Sequence, residues 1–394
     1  MSFEEGLRRI AREHAPGVPE IALRLARGGF DRAALSGDFD TARVPLLRKS
    51  DVPALQAADP PWCGMLADNF HPEACFMSPG GVVEPLVPRM VERLAGLLKA
   101  AGFDRTHTVL NGFNYHFTPA GLLFHAALVR IGCTVLPAGP QNIATQAEFA
   151  HLLGANAFVG IASHLKILFE HRPSLPIRLA MAGAEPHAQS LRESIVDEHG
   201  ARCCDMYGFA EGGIVAASCA QAGALHFADD VIAELCEPGA EHRVKIEDET
   251  TGELVISLNN PGFPMLRFAT GDLVRILHKV CVCGRVGILQ VLGRADPSVR
   301  VKGMLLHDSQ LRRFMAASGS DACRLEVSRV DGRDRIGVSL RLSPNNAPNT
   351  STATSTTLDE AFREACRLRA DTLVIDESLV PDSCTIVDVR GANP

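Results

Sequence analysis

The sequence has no run of about 18 apolar residues, and this absence argues against a membrane-spanning helix. Basic residues are not in excess either. With 39 Lys and Arg against 46 Asp and Glu, the formal net charge is -7, and a general nucleic-acid-binding surface is not expected. The first 20 residues alternate acids and bases on a helical period and contain no apolar segment of a secretory signal. These absences predict a globular protein that binds neither membranes nor nucleic acid.

Length and cysteine usage set the next expectations. A chain of 394 residues exceeds what one hydrophobic core normally serves, so we expect two domains. Twelve cysteines without a secretory signal favour the reducing cytosol over a disulfide framework, which predicts a cytoplasmic protein. Six of these cysteines stand alone among apolar neighbours, and we interpret them as buried thiols: Cys63, Cys75, Cys133, Cys323, Cys366 and Cys384.

From about residue 88 to 270, helical and strand-like segments alternate. A helix over 88–103 is followed by the strand-like HTVLNGF, and the alternation continues through IRLAMAG to the strand-like ARCCDMYG. Such alternation is typical of βαβ units around a parallel sheet. From about 224 short strand-like runs replace it, and ETTGE predicts a hairpin turn between two of them. The fold class is therefore α/β: a large N-terminal domain with parallel-rich sheets and a strand-rich part, then a small α+β C-terminal domain.

The C-terminal part after GRADPS is smaller. It contains the helix SQLRRFMAAS, the strand-like RLEVSRV and RIGVSLRL, and the helix LDEAFREACRL. Between them, the polar stretch 344–357 has a composition that forbids a packed core.

Three short motifs carry the chemistry. GAEP (183–186) follows the strand IRLAMA, and ligands of open α/β sheets bind at the carboxyl ends of such strands. DMYGFAEGG (205–213) offers a tyrosine that could cover a planar ring and a glutamate that could hold Mg²⁺. TGD (270–272) puts a carboxylate in a tight turn, where it could accept hydrogen bonds from ribose. Each has a bland alternative: a strand-to-helix turn, a glycine turn with a solvated Glu211, and an ordinary Asp turn.

In this order and spacing, the motifs resemble the adenylate-forming enzymes, and specifically the phenylacetate–CoA ligase branch. The resemblance begins at VPLLRKSDV (44–52) and continues through NGFNYHFTPAGLLFHAALVRIGCTVLPAG, GAEP and MYGFAEGG. It ends with FPMLRFATGDLVRI and CVCGR…VLGRADPSVRVKG. The resemblance implies a two-step reaction. A small or aromatic carboxylic acid attacks the α-phosphate of ATP to give an acyl-adenylate and pyrophosphate, and the thiol of CoA, or of an acyl carrier protein, then displaces AMP.

The resemblance also implies a role for each matching residue. Phosphate and adenine contacts are expected from Ser78, Gly80, Gly183, Ala184, Glu185, Pro186, Tyr207 and Gly208. Glu211 is expected to hold Mg²⁺ and Asp272 the ribose, while Tyr115, Phe117 and Gly208 frame the acid's pocket. The two aromatics could equally be core residues.

The end of the first domain carries the remaining implied roles. Arg294 would be the last residue of a domain of residues 1–294 and would lie at the hinge. Asp296 would be the pivot about which a second domain of residues 295–394 rotates between the half-reactions. Lys302 completes the set of candidate catalytic residues, and a homodimer is a further expectation.

Two departures from the family pattern point to a second function. The family's phosphate loop reads close to SSGTTGKP, whereas this chain has SPGGVVEP (78–85), with Glu84 where the lysine would be. A carboxylate facing polyphosphate is repulsive by about 1–3 kcal/mol. Asp388 and Arg390 match the family's final Asp-x-Arg, but no lysine follows Lys302 to serve as the C-terminal catalytic lysine. The alternative is a regulatory or acyl-transfer protein that binds AMP or an acyl-adenylate without using ATP.

The stretch CVCGR raises a separate question about metal. Cys281 and Cys283 combine with Cys219 and His226 of SCAQAGALH into a Cys₃His set, a composition typical of structural zinc. A closed set of four ligands leaves no position for water, so its role would be to fix two loops. Buried thiols beside a solvated histidine are the alternative.

Overall fold

A computed structural model describes residues 2–31, 33–78, 81–183, 189–221, 223–295, 298–302, 304–330, 333–343 and 355–390. The chain divides into two compact units, Met1–Ala295 and Asp296–Pro394. Among the described residues, no helix combines the length and the apolar composition needed to cross a bilayer.

The first unit opens with helices and short strands that surround the later sheets. They are α1 (Phe3–His14), α2 (Pro19–Arg27), β1 (Leu47–Arg48), α3 (Val52–Ala58), β2 (Cys75–Met77), β3 (Val83–Pro85) and α4 (Pro88–Ala100). Short 3₁₀ helices occupy Ala34–Ser36, Thr41–Arg43 and Lys49–Asp51. Pro88 occupies the first turn of α4, where its missing N–H is not needed, and Gly102 just after the helix has φ of +100°. The helix predicted over 88–103 is thereby confirmed.

Alternating strands and helices then build the parallel sheet. They are β4 (Thr108–Asn111), α5 (Pro119–Arg130), β5 (Thr134–Pro137), α6 (Ile143–Leu152), β6 (Ala157–Gly160), α7 (Ala162–His171), β7 (Leu179–Ala182), α8 (Gln189–His199) and β8 (Arg202–Cys204). The strand order is β5-β4-β6-β7-β8, and every neighbouring pair is parallel. The predicted βαβ alternation is therefore confirmed up to Cys204. Its extension to about residue 270 is wrong, because the described residues from Met206 to Thr270 form successive strands.

Successive side chains of this sheet enter two separate cores. Val109 and Val159 pack into the core that contains α4 and α5, whereas Leu110 and Phe158 pack with residues of α6 and α7. This alternation follows from the two-residue period of a strand. Because helices cover both faces of the sheet, the ends of its strands are the part that is left for ligands.

Strand-rich structure completes the first unit. It comprises β9 (Met206–Phe209), β10 (Gly213–Ser218), β11 (Leu225–Phe227), β12 (Val231–Cys236), β13 (Arg243–Val244), β14 (Glu249–Leu258), β15 (Met265–Val280) and β16 (Val286–Arg294). One sheet has the order β11-β10-β9, and another has β1-β15-β14-β12-β13 with β16 on β15. The strand-like ARCCDMYG is thus two strands, because β8 pairs with β7 while β9 pairs with β10.

The hairpin turn predicted at ETTGE is wrong. These residues lie inside β14, which pairs with β12 on one side and β15 on the other. Gly252 explains the difference, since a Cβ at this position would lie 2.8 Å from the carbonyl oxygen of Cys236. The glycine permits close approach of a neighbouring strand and does not turn the chain.

The second unit is α+β. It contains β17 (Ser298–Val301), β18 (Met304–His307), α9 (Asp308–Ser318), β19 (Ser320–Val330), β20 (Arg333–Leu342), α10 (Ser355–Cys366), β21 (Thr372–Ile375) and β22 (Cys384–Asp388). The sheet has the order β21-β20-β19-β22, and its buried side chains form a hydrophobic core with those of α9 and α10. The fold class expected from the sequence is confirmed. Most of the polar stretch 344–357 lies outside the described residues.

Candidate active site

Three motifs that are distant in sequence meet at one place in the first unit. Gly183, the residue after β7, approaches β9 so closely that a Cβ on it would lie 2.5 Å from the Cγ of Met206. Tyr207, the next residue of β9, donates a 2.6 Å hydrogen bond to the Oδ2 of Asp272 on β15. The beginning of the first motif, the second motif and the third motif are therefore in contact.

Asp272 is held on both of its carboxylate oxygens. Tyr207 donates to Oδ2, and Arg294 at the end of β16 donates to Oδ1 at 2.6 Å and to the carbonyl of Thr270 at 3.1 Å. The strands place these residues together, because Asp272 and Arg294 are direct partners in the β15–β16 ladder. Burial raises the pKa of Tyr207 well above its ordinary value, and the charge of Asp272 adds to this effect. The hydroxyl is thus a permanent donor.

Glu211 lies in the turn between β9 and β10. Glycines shape this turn: a Cβ on Gly208 would lie 2.5 Å from the carbonyl oxygen of Gly213, and one on Gly212 would lie 2.3 Å from the ring of Phe209. The side chain of Glu211 is only 2% exposed. The alternative of a solvated glutamate is therefore wrong.

Lys49 forms an ion pair with Glu211. Its Nζ lies 2.6 Å from the Oε2 of Glu211 and 5.6 Å from the ring centroid of Phe209. The ammonium is partly accessible, since the side chain is 18% exposed. The segment 47–58 thus places the ammonium of Lys49 beside the turn that carries Glu211.

Glu84, which the alignment places at the phosphate-loop lysine, is a buried strand residue. It lies on β3, opposite Phe76 of β2, and is 1% exposed. Burial, and then the charge of Glu211, raise the pKa of Glu84 to about 8, while Lys49 and Ser78 oppose the shift. The charges of Lys49 and Glu211 therefore act on this buried carboxyl group.

Side-chain hydrogen bonds from Gln56 and Ser78 hold the hairpin β2–β3 in place. Gln56 of α3 exchanges two hydrogen bonds of 2.8 Å with the backbone of Val83. Ser78 accepts from the backbone N–H of Val82 at 3.2 Å, so its hydroxyl caps the turn between the strands. Residues 79 and 80 of this turn, Gly80 included, lie outside the described residues.

The two candidate pocket aromatics differ in environment. The hydroxyl of Tyr115 accepts a 2.8 Å hydrogen bond from Asn111 and lies 3.2 Å from the Nδ1 of His125. Phe117 is 81% exposed and has a φ of +61°, so the core alternative is wrong for this residue. Its carbonyl accepts a 2.8 Å hydrogen bond from the N–H of Met77 on β2, which ties this loop to the hairpin. A bulky residue in the left-handed region is uncommon and often marks a functional loop.

The four predicted zinc ligands come together. The ligand atoms of Cys219, His226, Cys281 and Cys283 all lie within 4.8 Å of one another. The Sγ atoms of Cys219 and Cys281 are 3.8 Å apart, and the Sγ of Cys283 is 3.5 Å from the Nε2 of His226. The Nδ1 of His226 is 2.8 Å from the carbonyl of Gly287, which fixes Nδ1 as the protonated nitrogen and leaves Nε2 for a metal. His226 is 2% exposed, so the alternative of a solvated histidine is wrong.

Lys302 belongs to the second unit, where it pairs at 3.0 Å with Asp371. Asp371 also receives Arg335 and the N–H of Ile336, so Lys302 belongs to a local charge network. Arg390 and Asp388 of the same unit pair with each other at 2.6 Å. Four candidates lie outside the described residues: Ala184, Glu185, Pro186 and Asp296.

Three residues around this site were not identified from the sequence. They are Lys49, Gln56 and Arg93 of α4, whose side chain is fully buried. Arg93 donates to Asp230, to Asn260 and, at 3.2 Å, to the carbonyl of Gly212 next to Glu211. Lys49 lies in VPLLRKSDV, a segment of the family resemblance, and this was the signal available for it.

The chain is similar to enzymes named phenylacetate–coenzyme A ligase. It is 24% identical over 337 residues to the enzyme of Thermus thermophilus, covering 80% of this chain and 74% of that protein. It is also 24% identical over 320 residues to the enzyme of Escherichia coli, covering 76% of this chain and 72% of that protein. No protein-family model matches the chain.

A solved structure extends the similarity to the fold. The structure of 2-hydroxyisobutyryl-CoA ligase in complex with 2-HIB-AMP and CoA matches with a TM-score of 0.80 at 19% identity, covering 98% of this chain and 88% of that one. At this identity the match concerns the fold. The chain is therefore a relative of the phenylacetate–CoA ligases and has the fold of the adenylate-forming CoA ligases.

Proposed function

We propose that the protein is an AMP-forming acid–CoA ligase that activates a small or aromatic carboxylic acid. The observation that carries the proposal is the convergence of Gly183, Tyr207 and Asp272 at one place. The similarity to ligases along most of the chain supports it. The acceptor would be CoA, or the thiol of a carrier protein.

Four described side chains have proposed roles in this reaction. Asp272 would accept hydrogen bonds from the ribose hydroxyls, with Arg294 holding its carboxylate in place at 2.6 Å. The carboxylate of the acid attacks the α-phosphorus and pyrophosphate leaves. The thiol sulfur then attacks the acyl carbon, and AMP leaves. Tyr115 and Phe117, whose loop is tied to the hairpin β2–β3, would border the acid.

Magnesium fits the residues around Glu211. Carboxylate oxygens are the protein ligands that Mg²⁺ prefers, and Glu211 is held by Lys49 and by its glycine turn in one position. A bound Mg²⁺ would neutralise charge on the phosphates.

Zinc fits the Cys₃His cluster. A tetrahedral zinc with ordinary bond lengths places two sulfurs about 3.8 Å apart, and a sulfur and a nitrogen about 3.5 Å apart. Both separations occur here, between Cys219 and Cys281 and between Cys283 and His226. We therefore propose a structural zinc that joins the β10–β11 turn to the 281–285 turn.

Free thiols suit a reducing compartment, so we also propose a cytoplasmic location.

A second candidate function is favoured by Glu84. A buried carboxyl group occupies the position of the phosphate-loop lysine, which leaves that hairpin without its own cation. A protein that binds AMP or an acyl-adenylate, and transfers the acyl group without consuming ATP, would tolerate this change.

Isotope exchange between pyrophosphate and ATP separates the two functions. Purified protein with Mg²⁺ is given a panel of aromatic and small carboxylic acids, and acyl-CoA is then sought by mass spectrometry. Acid-dependent exchange is the expected result. Acyl transfer from a synthetic acyl-adenylate to CoA without any exchange would favour the second function. If the protein shows neither exchange nor acyl transfer, both proposed functions are overturned.

A further inference from the structure

Arg93 of α4 donates hydrogen bonds to three turns of the first unit. Its Nε and Nη2 donate to the two carboxylate oxygens of Asp230 at 2.9 and 3.0 Å. Nη2 also donates to the Oδ1 of Asn260 at 2.7 Å, and Nη1 donates to the carbonyl oxygen of Gly212 at 3.2 Å. One side chain therefore connects the turn after β9, the turn before β12 and the turn after β14.

These contacts need the shape of an arginine. The side chain of Arg93 is 0% exposed, and a cation buried in this way is stable only with a counter-ion and with partners for its N–H groups. Asp230 supplies the negative charge along one edge of the guanidinium. Because the five N–H groups are fixed in one plane, another edge is free to hold a carbonyl group. A lysine has a single nitrogen and cannot hold both partners in these positions.

The carbonyl group of Gly212 belongs to the turn that carries Glu211. Gly213 follows with a φ of +72°, and a Cβ at this position would lie 3.4 Å from the side chain of Met90 on α4. Glycines impose few conformational preferences of their own, so contacts from outside must select the shape of this turn. Arg93 provides such a contact one residue after Glu211.

We propose that Arg93 is a positioning residue for Glu211. By holding the carbonyl group of Gly212, it keeps the backbone of the turn in the one arrangement that directs Glu211 to the nucleotide phosphates. Lys49 contacts the carboxylate itself at 2.6 Å, so one cation fixes the turn and the other its side chain. A displacement of about 1 Å in an active site can slow a reaction by about a hundredfold. The inference rests on the proposed function, because Glu211 receives its role there.

Arg93→Lys tests the inference, since it keeps a charge for Asp230 but loses the contact with Gly212. The N–H of Gly212 donates to the carbonyl of Phe209 at 3.2 Å, and its hydrogen exchange reports on the turn. Mass spectrometry should show faster exchange of the segment 209–213 in the variant and unchanged exchange of the parallel sheet. Exchange of pyrophosphate with ATP should be slower by about tenfold or more and should need more Mg²⁺, while the affinity for AMP is unchanged. A merely structural role would lower the affinity for AMP as well.

Arg89→Lys is the matched control. Arg89 lies one helical turn earlier on α4 and also donates to Asp230 at 2.9 Å, but its other hydrogen bond goes to Glu92 and not to the Glu211 turn. This variant should behave as the wild type in every measurement. A double variant, Arg93→Met with Asp230→Asn, leaves no unpaired charge and should repeat the result if Arg93→Lys folds poorly.

Two outcomes overturn the inference. One is wild-type hydrogen exchange of the segment 209–213 in both Arg93 variants. The other is a loosened turn in a variant that keeps the wild-type rate and Mg²⁺ dependence. If the wild type itself shows no pyrophosphate exchange, the ligase function fails, while hydrogen exchange still decides whether Arg93 fixes the turn.

Discussion

At the scale of single residues, Asp272 is the part of the proposed nucleotide site that the described structure defines most completely. Its two oxygens face Tyr207 and Arg294, each at 2.6 Å. A ribose hydroxyl that replaces or joins the tyrosine would find a charged acceptor already oriented. Hydrogen bonds to charged groups contribute more than neutral ones.

Asp272→Asn should weaken AMP binding by about 1.5–3 kcal/mol, at least tenfold, because the acceptor loses its charge while its shape is kept. Calorimetric titration with AMP measures the change. Glu249→Gln, at an exposed glutamate paired with Arg275 on the same sheet, is the control and should bind as the wild type does. Equal affinity in Asp272→Asn would mean that the ribose lies elsewhere.

Glu84 predicts a pH dependence of stability. Its pKa is raised from 4.5 to about 8 in the folded state. Between these values the folded protein holds a proton that the unfolded chain has released, so the free energy of unfolding decreases as pH rises through this window. Glu84→Gln is neutral throughout. It should nearly equal the wild type near pH 4.5 and exceed it by about 4 kcal/mol at pH 8.

Urea unfolding of both proteins at several pH values, without added divalent cations, measures this difference. Glu73→Gln serves as the control, since the side chain it replaces is solvated. Parallel stability profiles for the wild type and Glu84→Gln would show that Glu84 ionises normally in the folded protein.

Sequence patterns located some of these residues and missed others for a physical reason. Glu211 and Asp272 stand in short motifs whose glycines and strands are visible locally. Lys49 forms its ion pair with a residue 162 positions away, and nothing near it in the sequence indicates that partner. For Glu84 the identity could be read but not the burial, because burial depends on the packing of β3 against segments far along the chain.

At the scale of elements, local patterns predicted the parallel sheet well. Helical periods and buried strands repeat between residues 88 and 204, and each βαβ unit folds from neighbouring segments. The failure at ETTGE has the opposite cause. Gly252 reads as a turn residue, yet its lack of a side chain serves contact with Cys236 on β12, a strand earlier in the chain.

The zinc proposed for the Cys₃His cluster gives a prediction about two turns. The purified protein should contain about one zinc per chain, and Cys281→Ser with Cys283→Ser should remove it. Zinc binding is coupled to folding, so the double variant should also unfold at a lower temperature. Elemental analysis and thermal unfolding measure both effects. Cys75→Ser is the control, because the thiol of Cys75 on β2 is exposed; the interpretation of Cys75 as a buried thiol is therefore wrong. Full zinc content in the double variant would place the metal elsewhere.

At the scale of the whole molecule, the chain keeps the carboxylate expected to bind the ribose but lacks the lysine expected at the phosphate loop. In the first unit, Asp272 is the proposed acceptor for the ribose, while the hairpin β2–β3 carries a buried glutamate. In the second unit, Lys302 is engaged by Asp371 at 3.0 Å. The described residues thus favour the nucleoside end of ATP over its terminal phosphates.

This imbalance predicts the order of nucleotide affinities. Without added divalent cations, AMP should bind at least as tightly as ATP, because the hairpin β2–β3 offers no lysine to the β- and γ-phosphates. Adding Mg²⁺ should tighten ATP binding and leave AMP nearly unchanged, since a Mg²⁺ held by Glu211 would offset the charge of the terminal phosphates. Calorimetric titrations of the zinc-replete protein with each nucleotide, with and without Mg²⁺, measure both effects. ATP binding tenfold tighter than AMP in the absence of Mg²⁺ would contradict this order. A cation of the protein itself would then act on the terminal phosphates, and the partly exposed Lys49 would be the first residue to replace.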